Sequence, residues 1–215
     1  MPESNDSQRC RDDVRSFVAA RVNKLQGLYF ADAGRNAAAG QLAQLRRAAS
    51  KAPGEDPNTW QLEFEELPET LRGKGLAASQ GEWAVHIALT LYAVHMQSQK
   101  TGMHAAGVEH DIGTAVRAYV WQSGASNNME DGRLPRRFAS MVTADSIEEV
   151  AHYARQIVQL LRGYAIPVDY GRFARQLYDF QNPYRRDGVR LEWGRAYSRK
   201  PSLADDGPDD TATND

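Results

Sequence analysis

Four glutamates fall within seven residues, at Glu63, Glu65, Glu66 and Glu69. Clustered carboxylates can hold a divalent cation or move protons. No paired histidine or second acidic cluster accompanies them, so a solvated face is the expectation. His104, Glu109 and His110 are metal-ligating residue types, but they lack the helical H-x-x-x-H or H-E-x-x-H spacing that gathers ligands on one metal. His86 and His95 stand nine residues apart on one apolar helix, two turns or more from a shared ligand, and read as core or capping residues. Cys10 is the single cysteine, which excludes an internal disulfide or a cysteine-based zinc site; its terminal position is a poor one for a nucleophile. The G-x-x-x-x-G-K-[ST], G-x-G-x-x-G and G-x-S-x-G patterns are absent. The chain is therefore expected to carry no reaction and to need no cofactor.

The residues that remain with a chemical use are arginines. Net charge is −2 over 215 residues, but its distribution is uneven. Residues 132–200 hold 13 basic against 7 acidic side chains, a net of +6, and residues 201–215 hold five aspartates and no cation. Arginine outnumbers lysine 21 to 5. Codon bias can set such a ratio; it does not explain why the cations group as Arg46, Arg47 and Lys51, as Arg133, Arg136 and Arg137, and as Arg185 and Arg186, with Arg117 standing alone. A guanidinium on a rigid helix holds phosphate through paired N–H donors and releases counterions on binding. No helix-turn-helix or RNP pattern accompanies these groups, so they suit backbone contact without base reading.

Helices must position them. Ile147, Val150, Ala151, Ala154, Ile157, Val158 and Leu161 line one face of a helix, with Asp145 and Glu148 as its capping box and Gly163 as a left-handed stop. Glu148, Glu149, Arg155, Gln159 and Arg162 take the opposite face. Pro167 and Asp169 open another helix through Phe180, and Asn182 with Pro183 opens one more. Upstream, Leu134, Phe138 and Met141 claim the apolar side of a short helix, so its three arginines face elsewhere. Before these come helices at about 8–31 and 36–50, a short one at TWQLEFEEL capped by Asn58 or Thr59, and a buried one from Trp83, capped by Ser79 and Glu82 after a flexible link at 71–81. A helix at TAVRAYVWQ follows the Gly-rich loop at 101–113.

No period-two pattern occurs, so the fold class is all-α. Two small packed helical bundles are expected, residues 1–125 and 126–200, divided at the turn-forming stretch 122–132, with a disordered acidic tail at 201–215. Residues 1–6 are expected to be disordered. The polar opening MPESNDSQRCRDD is unlike a signal peptide, and the longest apolar run is too short and interrupted to cross a bilayer. A soluble, cytoplasmic protein without membrane contact is the expectation.

Several blocks, GQLAQLRRAAS, GEWAVHIALTLYAVHMQSQ, DIGTAVRAY and RLPRRFASM through RQLYDF, closely resemble the CasB family, the small subunits of the type I-E CRISPR surveillance complex Cascade. The resemblance covers about residues 10–200. It implies two helical bundles, no enzymatic activity, and a pair of copies per complex lying against the other Cascade subunits, backbone and large. It further implies a basic surface along guide RNA and target DNA that helps hold the displaced single strand of the R-loop in antiviral defence. By position, the family's basic residues fall on Arg46, Arg47, Arg117, Arg136 and Arg137. Arg155 stands where the family often has a basic residue, though its helix pattern also suits an ion pair. The alternative is a helical protein–protein adaptor whose arginines form salt bridges, among others with the acidic cluster at 63–69.

Overall fold

A computed structural model describes residues 5–124 and 132–199. Among these residues there are nine α-helices: α1 (Asn5–Phe30), α2 (Arg35–Ala48), α3 (Trp60–Phe64), α4 (Gln80–His95), α5 (Ile112–Ser123), α6 (Arg133–Thr143), α7 (Ile147–Arg162), α8 (Tyr170–Phe180) and α9 (Pro183–Tyr197). Single 3-10 turns lie at Pro57–Thr59 and Val108–His110. The described residues form no sheet; one isolated parallel bridge joins His104 to Val168. The expected acidic tail at 201–215 and residues 125–131 of the expected linker lie outside the described residues. So do residues 1–4, whereas Asn5 and Asp6, expected to be disordered, already belong to α1.

Helix α4 is the axis of the packing. Its residues from Ala84 to His95 are all buried, as an apolar pattern on every side requires. The capping box read from the sequence is present: Ser79 accepts from the Glu82 amide at 3.0 Å and Glu82 accepts from the Ser79 amide at 2.7 Å. Helices α1, α2, α7 and α8 pack around α4, and α1 makes its broadest contact with α8. Gly171 makes that approach close, since a Cβ there would stand 2.9 Å from the Ala19 side chain and from the Arg15 carbonyl. Helix α9 closes the far side over α5, α6 and α8.

Several local expectations need correction. Glu63 is not on a solvated face; it is fully buried, and its Oε1 lies 3.0 Å from Nδ1 of buried His86. The second imidazole nitrogen lies 2.9 Å from the Lys51 carbonyl, so one histidine ties α3 to the end of α2. The cap of the short acidic helix is also earlier than expected: Asp56 accepts from the Asn58 amide and starts the 3-10 turn that leads into α3. Helix α7 is capped one residue later than expected, by Ser146, which accepts from Glu149; Glu149 in turn accepts from the Asp145 amide. Gly163 is right-handed, φ −64°, and the left-handed residue is Ala165, φ 50°. The reversal is delayed because Ile166 and Val168 must reach the core. Leu71, within the expected flexible link, is buried, and the first turn of α4 packs on it through Gly81, where a Cβ would meet Leu71 at 2.7 Å.

The core also encloses titratable groups. His95 is fully buried with Nδ1 2.9 Å from the Tyr170 hydroxyl. Burial first, then the charge of Arg162, pushes its pKa down to about 3. Burial lowers His104 as well. A base depressed in the fold stabilises it fully above the unfolded histidine value and progressively less as pH falls below that value. Denaturant unfolding at pH 7 and pH 5, where carboxylates barely titrate, should therefore show a loss of about 2 kcal/mol attributable to His95. His95→Gln should lose that much less between the two pH values; an equal loss in both proteins would show that His95 is not buried neutral.

Candidate nucleic-acid interface

Helices α2 and α7 flank α4 and each packs on it. Between them runs a trough, built from three hollows that share walls. The middle one, about 330 Å³, is lined by Arg46 and Arg47 of α2, Val94 and Gln97 at the end of α4, and Arg155 and Gln159 of α7. Arg155 also walls a hollow of about 370 Å³ toward the start of α4, where Lys51, Trp83 and His152 stand. Gln97 continues into a third, where Arg162 and Lys100 stand. Along α4, Trp83 and Val94 are eleven residues apart, three turns on one side of the helix, and the trough follows that side.

The sequence explains why the cations face this trough. On α2, Ala38, Leu42, Leu45 and Ala48 are buried, which turns Arg46 and Arg47 to the flank. On α7, Val150, Ala154, Ile157 and Leu161 are buried, leaving Arg155, Gln159 and Arg162 on a single stripe. Arg46, Arg47 and Arg155 have no carboxylate within ion-pair distance among the described residues. Burial holds the Arg46 pKa below its usual value, and the charges of Arg47 and Arg162 act in the same sense. Like charges crowded without an acid make a receptive surface for an anion.

Other candidates are placed differently. Lys51 lies beside the trough but is bound to Asp56 at 3.0 Å; that hydrogen bond, ahead of those from Asn58, draws the Asp56 carboxyl down to about 2. Arg133 and Arg136 are exposed on α6. Arg137 donates to Gln156 of α7 at 2.7 Å and to the Arg133 carbonyl at 2.6 Å. Gln156 reaches His152 at 2.7 Å, so a polar chain leads from α6 to the trough. Arg117 is not gathered there: its guanidinium stands over the Tyr197 ring of α9, 5.9 Å from the centroid. Arg185 donates to buried Asp179 at 3.1 Å, and Arg186 donates to the Phe180 carbonyl at 3.1 Å. The acidic stretch pairs with Arg21 and Arg72. Arg155, which by resemblance stands where the family often has a basic residue, faces the trough with no ion pair among the described residues; Gln159, Arg162, Lys100 and Trp83 were not nominated from sequence, and the spacing of Arg155, Gln159 and Arg162 on the polar side of α7 was the available signal.

The metal-ligating residue types of the loop at 101–113 are placed apart. His104 is buried with Nδ1 3.2 Å from both the Val168 carbonyl and the Tyr170 amide. Glu109 and His110 stand 3.9 Å apart. Among the described residues no three His, Cys, Asp or Glu side chains converge as a metal would need, and no described helix is long and apolar enough to cross a membrane.

The architecture defines a small all-α protein that presents an arginine-lined trough. Residues 41–197 match the family model of the CRISPR-associated protein Cse2. The fold matches the crystal structure of CasB from Thermobifida fusca at TM-score 0.69 and 35% identity, covering 87% of this chain and 98% of that one. The chain belongs to the Cse2 (CasB) family. The fold is shared with a Cse2-family protein from Thermus thermophilus, at TM-score 0.58 and 22% identity over 85% and 96% of the two chains. CasB of M. ruber matches at TM-score 0.54 and 19% identity over 74% and 83%. No curated protein sequence matches the chain.

The two kinds of arginine are separable by experiment. Arg172 bonds Asp111, whose carboxylate is fully buried, at 2.7 Å; Arg172→Ala should cost about 3 kcal/mol by stranding that charge. Arg47→Ala and Arg155→Ala should leave unfolding free energy within about 0.5 kcal/mol of wild type. Urea unfolding of the three variants checks both; a comparable loss on removing Arg155 would make it structural.

Proposed function

We propose that this protein is the non-catalytic small subunit of a type I-E Cascade surveillance complex, working in the cytoplasm beside a second copy of itself and the backbone and large subunits. Its trough holds nucleic-acid backbone, in guide RNA, target DNA or the displaced single strand, and so stabilises the R-loop in antiviral defence. Family membership supports the setting. One observation carries the chemistry: Arg46, Arg47 and Arg155 face a single hollow with no carboxylate partner among the described residues. From Glu148 to Arg162 the α7 wall is about 21 Å long at 1.5 Å per residue, enough for about six nucleotides at 3.4 Å each. Arg133, Arg136, Arg137 and the Lys51 end extend the surface, and Arg117 contributes from another side. The adaptor reading accounts for other arginines, Arg172, Arg175 and Arg185, which are bound to carboxylates within the fold.

Single-stranded DNA and RNA binding across a salt series tests the reading. Log affinity should fall linearly with log salt, and replacing Arg46, Arg47 and Arg155 by Ala should flatten the slope by roughly 0.7 per lost phosphate contact. Equal slopes for wild type and the triple variant would overturn the trough as the phosphate site.

A further inference from the structure

The trough is not chemically uniform along its length. Its middle is cationic and amide-lined, with Arg46, Arg47, Arg155, Gln97 and Gln159 and no acid on its walls. The hollow toward the start of α4 is different. Trp83, Ala49 and Ala151 give it apolar surface, and Glu148 places a carboxylate on its wall. Trp83 is half-buried, packed partly on the core and partly open to the hollow. Glu148 takes part in no ion pair or hydrogen bond of its side chain among the described residues, and neither does the Trp83 indole. The cation beside them, Lys51, is held by Asp56 at 3.0 Å.

We propose that this hollow, walled by Trp83, Glu148 and His152, takes one base of a single strand whose phosphates lie on the adjoining Arg46, Arg47 and Arg155. The inference rests on the reading that the trough carries nucleic acid, and deepens it from backbone contact to base capture. Three features point the same way. An indole face stacks on any base. A carboxylate repels phosphate but accepts hydrogen bonds from exocyclic amines, so the hollow favours adenine, cytosine or guanine over thymine or uracil. Arg155 walls both compartments, which places a phosphate contact next to the captured base. The volume, about 370 Å³, falls within the usual range of about 300–1,000 Å³ for small-molecule sites.

Two of these features have direct tests. The full-length protein is titrated with fluorescent oligodeoxyadenylate, with oligothymidylate, and with an abasic strand of the same length, about 12 nucleotides, followed by anisotropy at two salt concentrations. Wild type should bind oligodeoxyadenylate about tenfold or more tighter than the abasic strand. Trp83→Leu should remove most of that difference while leaving abasic binding and its salt slope as in wild type. Glu148→Gln should narrow the preference for oligodeoxyadenylate over oligothymidylate. If wild type binds base-bearing and abasic strands alike with a phosphate slope intact, the pocket is overturned and the phosphate trough stands; this arm needs no variant to fold. If Trp83→Leu weakens abasic binding equally, Trp83 is structural and the pocket is again overturned. If no strand binds at any salt, the phosphate reading fails and the pocket with it.

Discussion

Helix α8 has almost no surface of its own, and its polar side cannot be wetted. Two carboxylates near it, Asp111 and Asp179, are buried to 1% and 2% exposure. Ionised groups so placed are tolerated only with full sets of donors. Asp179 receives Arg11 of α1 at 3.0 Å, Arg175 of its own helix at 2.8 Å and Arg185 of α9 at 3.1 Å. Asp111, at the start of α5, receives Arg172 at 2.7 Å and the Gln176 amide at 2.6 Å. Gln176 then accepts from the indole of Trp193 at 3.0 Å, while Glu192 bridges Arg172 and Arg175. Four helices are thereby held in one mutual register, because a shift of any of them would strand a buried charge.

That network also sorts the arginines. Arg172 and Arg175 of α8 and Arg185 of α9 are matched by Asp111, Asp179 and Glu192, so the charge of these three is neutralised inside the fold. What faces the trough is a different set, from α2 and α7, with no such match among the described residues. The geometry turns Arg172, Arg175 and Arg185 inward to carboxylates and leaves Arg46, Arg47 and Arg155 facing the trough.

The contrast marks where the sequence is legible. Features set by neighbours in the chain can be read from it: the Ser79–Glu82 box, the buried stripe of α7, Asp169 and Asn182 as caps, the all-helical class and the turning of Arg46 and Arg47 to a flank. Features set by distant partners cannot. Glu63 looks solvated in its own acidic stretch, and only His86, 23 residues on, explains its burial. The sparing of Arg155 depends on no acid arriving from another helix, and the fate of Arg185 on Asp179 and α1. The reversal at Ala165 rather than Gly163 follows from the demand of Ile166 and Val168 for the core. In the candidate site, the residues on α2 and α6 were open to view, but the floor that joins α2 to α7, Trp83 to Val94 of α4, emerges only in three dimensions.

An arginine trough of this kind lowers the stability of the isolated fold. Arg46 is partly desolvated beside Arg47 and Arg162, and like charges held together oppose folding. Nearby acids could have relieved it, as they do at Lys51 and Arg172, yet the walls of the middle hollow carry amides instead. Amides hydrogen-bond either a phosphate oxygen or a base and compete with neither for the guanidiniums. The arrangement is thus costly in the free chain, and a polyanion bound there would relieve it and, by linkage, stabilise the folded state. The α8 network supplies the rigidity this needs: with α1, α5, α8 and α9 locked, α4 is fixed against α8, and the two helices that flank α4 can hold repelling cations apart across a groove instead of closing over it.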